Sequence, residues 1–198
     1  MRIISGTAGG IPLKVPAAVA RPTVDRVREA LFSMLGDVVE NARVLDIFAG
    51  SGALGLECLS RGAKSALFIE QNAGACAVIE DNLKRSRLAG GRLMKGDAFA
   101  TIKRFAQSGE SFDLVFADPP YAKQKGDPDL GRELLKSPAL LTLLGSDGLF
   151  VLESMVTKHA DDAIAGWEVI RDREYGSTRI QILKPIKNDG ESAGAADL

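Results

Sequence analysis

Four short runs bring together residues able to do chemistry: "DIFAGSGALGLE" from Asp46, "FIEQN" from Phe68, "KGDAF" from Lys95 and "FDLVFADPPY" from Phe112. The first holds Gly50, Gly52 and Gly55 in GxGxxG spacing, which lets backbone approach a ligand closely at the start of a helix. Glu70 follows about twenty residues on, so the run reads literally as a dinucleotide fingerprint, and a nicotinamide-dependent oxidoreductase is one hypothesis. Asp46 favours another. A pyrophosphate needs a helix N-terminus free of competing negative charge, whereas S-adenosyl-L-methionine brings a sulfonium and an ammonium but no phosphate. Glu70 can accept two ribose hydroxyls. Asp97 can accept from an adenine amino group while the Ala98 N–H meets the ring. The plainer alternative makes these acids helix N-caps; three acids ending successive strands favour the ligand.

The fourth run ends a strand in Asp118-Pro119-Pro120-Tyr121. Pro119 has no N–H for a ladder, and each proline pushes the residue before it toward extended geometry, so the chain leaves the sheet in a stiff form. With a methyl donor beside it, that corner has a use. A purine amine is a poor nucleophile because its lone pair is delocalised into the ring. If Asp118 and the Pro119 carbonyl each accept one N–H, the nitrogen can turn tetrahedral and present its lone pair. Tyr121 can stack on the base, worth roughly 1–3 kcal/mol. Orientation and a proton-accepting carboxylate carry the rate. An ordinary strand-ending turn is the alternative, since Asp and Pro favour turns.

The elements that must hold these runs follow from periodicity. "RIIS" and "PLKV" suggest a small N-terminal hairpin over residues 1–20. Val24, Val27, Leu31 and Leu35 recur at helical spacing, with Thr23 able to cap and Gly36 able to stop the helix. From residue 43 strands and helices alternate: "RVLDIF", a helix at 52–61, "SALFIE", a helix at 72–88, "GRLMKG", a helix at 98–107, "FDLVFA", a helix near 129–137 and "GLFVLE". Such alternation predicts an α/β fold with a mostly parallel sheet covered on both faces. "WEVIRDREY" and "TRIQILKP" close it as an antiparallel edge hairpin around Gly176-Ser177. The methyl-transfer domain is expected over 21–186 and a disordered acidic tail over 187–198.

Composition narrows the partners. The 198 residues carry a net charge of −1, which gives no general attraction to a polyanion. Without the three acids of residues 188–198, 25 basic side chains face 23 acidic ones. Residues 1–35 hold Arg2, Lys14, Arg21, Arg26 and Arg28 against Asp25 and Glu29, so an anionic partner meets this region first. No signal peptide or membrane span is legible, and a cytoplasmic location is expected. Cys58 and Cys76 read as buried reduced thiols, and no metal site is expected. His159 reads as a surface residue and Trp167 as core.

Taken together these residues resemble a known family. "DIFAGSGALGLE" with "DPPY" is similar to class I S-adenosylmethionine-dependent amino-methyltransferases, and "RIISG", "RPTVDRVREALFSML", "LSRGA" and "YGST" resemble the RsmD family of 16S rRNA guanine-N2 methyltransferases. The resemblance implies a Rossmann-like, seven-stranded sheet with a reversed final hairpin. It implies a donor lying across Asp46, Phe48, Ala49, Gly50, Ser51 and Gly52, with Glu70, Gln71, Asp97 and Ala98, and Asp118 to Tyr121 facing the guanine amine. It implies RNA contacts among Arg21, Thr23, Arg26, Arg28, Lys123 and Tyr175, and a monomer acting on 16S rRNA within a partly assembled small subunit. Arg26 and Arg28 are two apart and cannot share a helical face, so one can meet phosphate while the other braces the fold. Residues 7–11, "TAGGI", lack the bases many relatives carry there. DNA adenine and protein glutamine remain alternative acceptors for the same corner, and a non-catalytic RNA-binding factor is a further alternative.

Overall fold

The computed structural model describes residues 1–16, 25–121, 126–156 and 165–186. Among them seven strands form one sheet in the order β3-β2-β1-β4-β5-β7-β6. These are β1 (Arg43–Ile47), β2 (Ser65–Glu70), β3 (Gly91–Lys95), β4 (Phe112–Ala117), β5 (Leu144–Met155), β6 (Trp167–Tyr175) and β7 (Thr178–Pro185). β1 to β5 run parallel, and β7 lies antiparallel to both β5 and β6. The expected parallel sheet with a reversed final hairpin is therefore the sheet observed. Its order reverses beside β1, where the β1 and β4 tips open the crevice in which such sheets bind ligands.

Helices cover both faces because the central strands are apolar on both. α1 (Asp25–Leu35), α2 (Ala53–Ser60) and α3 (Ala73–Ser86) pack with Val44, Phe68, Leu114, Phe116 and Val151. On the other face α4 (Ala98–Ser108), α5 (Leu130–Leu135) and α6 (Pro138–Leu143) meet Leu45, Ile47, Val115 and Leu152. Trp167 is core as expected, 5.4 Å from Phe150 between ring centres, and its Nε1 donates to the Leu135 carbonyl at 2.8 Å. Both cysteines are buried and unpaired. Among the described residues no helix is long and apolar enough to cross a membrane.

Two expectations need correction. The helix expected near 129–137 is α5, which stops at Leu135, and the sequence reading missed a further helix, α6, because Pro138 disfavours helical geometry at Ser137, which caps α6 by accepting from Leu140 N. The N-terminal hairpin reduces to one bridge, Arg2 with Pro12, flanked by hydrogen bonds of Ile3 N to Ile11 O and Leu13 N to Met1 O. Ile11 N donates within its own turn to the Ala8 carbonyl while Gly10 N takes the Ile3 carbonyl, so a regular ladder does not extend.

That segment is held by side chains instead. Glu57 of α2 is fully buried and accepts from Ile4 N at 2.7 Å, Ser5 N at 3.0 Å and Arg61 Nε at 2.8 Å. Asn82 of α3 accepts from Lys14 N and donates to the carbonyls of Lys14 and Ser51. The first sixteen residues thus close over the helices that flank the glycine turn.

Candidate active site

The glycine turn leaves β1 through a backbone that few side chains tolerate: φ is +59° at Phe48, +55° at Gly50 and +75° at Gly52. Glycine relieves the last two positions, while Phe48 holds its unusual geometry with its ring edge-on to Phe99, 6.3 Å between centres. Ala49 N donates to the Ile69 carbonyl and Gly52 N to the Ala49 carbonyl, which close the turn. Gly55 has a different reason: a Cβ there would lie 2.3 Å from the Phe68 ring, so the third glycine lets α2 sit down on β2.

Asp46 lies beneath this turn, buried, with Oδ2 accepting from Gly55 N at 3.0 Å. Burial first, and Glu70 after it, push its carboxyl from the ordinary 3.8 up to about 7, against the pull of the Gly55 amide. Glu70, at the tip of β2, accepts from Gly50 N at 2.9 Å and Asn72 N at 2.7 Å, so it braces the same turn. Asp97 is exposed and caps α4 by accepting from Ala100 N at 2.8 Å through Oδ1. The capping reading is thus correct for Asp97. Gln71 is exposed beside Glu70, and Ala98 is buried as the first residue of α4.

The proline corner follows β4, with Pro119 buried, Pro120 exposed, and Asp118 and Tyr121 half-buried. Sheet register fixes what Asp118 faces. Asp46 pairs with Phe116, and Phe116 with Val151. Because side chains alternate, Asp118 and Glu153 stand one pleat beyond Phe116 and Val151 on the face that carries Asp46. Three neighbouring strands thereby place three carboxyls together. Protein crowds Asp118 although part of it reaches solvent; burial, then Glu153, then Asp46 hold its carboxyl well above the ordinary range. Tyr121 donates to Glu153 Oε1 at 3.4 Å and hydrogen-bonds the Thr178 side chain. Burial, with Glu153 and Asp118, raises its phenol above its usual value.

Glu153 did not stand out in the sequence, although "GLFVLE" ends in an acid just as "SALFIE" and "FDLVFAD" do. That shared ending was the signal. Thr178, in "YGST", meets the corner only because β7 returns beside β5, pairing Thr178 with Met155. Tyr175, in register with Thr178, is half-buried against the core.

The RNA-facing residues divide. Arg26 is exposed on α1. Arg28 is fully buried, its Nη2 donating to Asp25 Oδ1 at 2.8 Å and to the Arg2 carbonyl. Its assignment to RNA contact is corrected: a guanidinium without surface cannot meet phosphate, and Arg28 is the brace. Arg21, Thr23 and Lys123, like His159 and the tail, lie outside the described residues.

Similarity to known proteins agrees with this geometry. The family described as conserved hypothetical protein 95 matches over residues 1–184. "Ribosomal RNA small subunit methyltransferase D" of Escherichia coli strain K12 is 35% identical over 185 residues, spanning 93% of this chain and 89% of the relative. The structure of yhhF from Escherichia coli superimposes with a TM-score of 0.77 at 34% identity, covering 93% of this chain and 97% of that one. SMU.776 complexed with SAH shares the fold alone, with a TM-score of 0.66 at 13% identity over 82% of this chain and 50% of that one.

Proposed function

This chain belongs to the conserved hypothetical protein 95 family, the RsmD family, and from that premise we propose that it methylates the N2 amine of a guanine in 16S rRNA. One observation carries the reading: a buried acid beneath the glycine turn and, one strand away, an acceptor at a proline-stiffened corner, both on one face of the sheet. The first suits a cationic donor and the second a planar amine.

The residues present fit S-adenosyl-L-methionine. Asp46 is a buried carboxyl that a neighbouring positive charge would relieve of its cost, and Glu70 and Asp97 keep acceptor capacity beyond their backbone bonds. Asp46 also takes the Gly55 N–H of the first turn of α2, which a pyrophosphate would need, so the oxidoreductase reading is set aside. Held there, the donor would supply an electrophilic methyl group on a sulfonium, with a neutral thioether as the leaving group. Asp118 and the Pro119 carbonyl orient the amine by accepting its two N–H groups, and Tyr121 holds the base. The guanine must be unstacked or unpaired to reach them. Exposed Arg26 is suited to phosphate, and the first sixteen residues form part of the wall toward RNA. The substrate is the rRNA of a partly assembled small subunit, and the protein acts as a monomer.

Incubation with labelled donor and hypomethylated small subunits tests this. Mass analysis should find a single N2-methylguanine in 16S rRNA. Label appearing in DNA or protein and none in rRNA would reject the reading.

A further inference from the structure

We propose that Glu153 is a positioning residue of this site: from the tip of β5 it fixes the Tyr121 hydroxyl and keeps the Asp118 carboxyl able to take the proton that the methylated amine sheds. The inference rests on the reading of the Asp118 corner as an amine clamp.

The geometry is that of the sheet. Ala117 pairs with Leu152 in the parallel ladder, so the next residues along the two chains, Asp118 and Glu153, are neighbours across adjacent strands on one face. Glu153 is buried, and its Oε1 accepts the Tyr121 hydroxyl at 3.4 Å. Around the pair among the described residues are Asp46 from β1, Glu70 farther along β2, and Thr178 from β7 on the far side of Tyr121. The register row continues from Glu153 through Ile180 to Arg173 of β6, which is exposed. α1, on the same face, carries exposed Arg26 and buried Arg28, the latter engaged with Asp25. Among the described residues, acids therefore dominate the immediate surroundings.

A guanine N2 that gains a methyl group becomes cationic and must lose one N–H proton. Asp118 takes it and returns it to water. A carboxylate does this more readily the higher its proton affinity, and an adjacent negative charge raises that affinity. Glu153 supplies the charge while its contact with Tyr121 holds the ring that supports the base. Only ionised Asp118 can accept, so turnover rises with pH through the Asp118 midpoint. Removing the charge of Glu153 lets Asp118 ionise at lower pH.

Glu153→Gln keeps the shape and an acceptor for Tyr121 but removes the charge. Single-turnover rates across pH and carboxyl-carbon NMR of Asp118 are measured for wild type, Glu153→Gln and Glu153→Ala. In Glu153→Gln the Asp118 midpoint and the acid limb of the rate both move to lower pH. The plateau rate falls about tenfold while KM for the RNA changes less than about twofold. Glu153→Ala, which also frees Tyr121, raises KM as well. An Asp118 midpoint and a rate profile both unmoved in Glu153→Gln overturn the proposal. If wild type labels no rRNA yet the Asp118 midpoint still moves, the substrate reading falls and the coupling of the two acids stands.

Discussion

Replacing Asp46 by Asn removes a buried charge while leaving an oxygen to accept the Gly55 N–H. The folded protein holds the proton of Asp46 up to about pH 7, whereas the unfolded chain releases it near the ordinary 3.8. The folded state therefore binds this proton more tightly. Stability contributed by Asp46 is greatest below pH 3.8 and is lost as pH rises toward about 7. At about 1.4 kcal/mol per pH unit, carrying the anion costs the folded state ~4 kcal/mol above neutrality, an upper figure because buried sites relax. Asp46→Asn should accordingly be more stable than wild type at pH 8, with the difference shrinking toward pH 4.5. Urea denaturation at both pH values measures it. Calorimetry at pH 8 should show S-adenosylmethionine affinity lowered at least about tenfold, because the cation loses its counter-charge. A site that carries this cost for the sake of a ligand trades stability for binding. An Asp46→Asn variant less stable at pH 8, or one with full donor affinity, would refute the reasoning and make Asp46 a structural cap of α2.

Asp118→Ala should abolish transfer to rRNA while donor affinity stays within about twofold, since the clamp on the amine is separate from the glycine turn; filter assays with labelled donor and calorimetry check both. Gly55→Ala should destabilise by about 1–3 kcal/mol in thermal melts, because the added methyl would meet the buried Phe68 ring at 2.3 Å and outweigh the gain in helix propensity. Glu57→Ala should cost roughly 3–5 kcal/mol and speed amide exchange at Ile4 and Ser5, whose N–H groups it now receives; unchanged exchange there would mean that the N-terminal segment is held by its apolar contacts alone.

The sequence by itself determined the order of the strands from β1 onward and of every helix among them except α6, because short apolar runs closing on acids and helical runs ending in glycine are local signals. It determined the glycine turn and the stiff corner for the same reason: backbone geometry at Gly50, Gly52 and Pro119 depends on the residues there. It placed Asp46, Glu70, Asp97 and Asp118 at strand tips. Tertiary structure alone decided which of those tips are neighbours. Asp118 lies beside Glu153 because β5 adds next to β4, and Thr178 reaches Tyr121 because β7 turns back along β5. Register between strands distant in sequence is set by packing across the whole sheet and leaves no mark within any one segment. The separation of Arg26 from Arg28 was half legible, since helical spacing told them apart, but only burial against the core told which of them braces the fold.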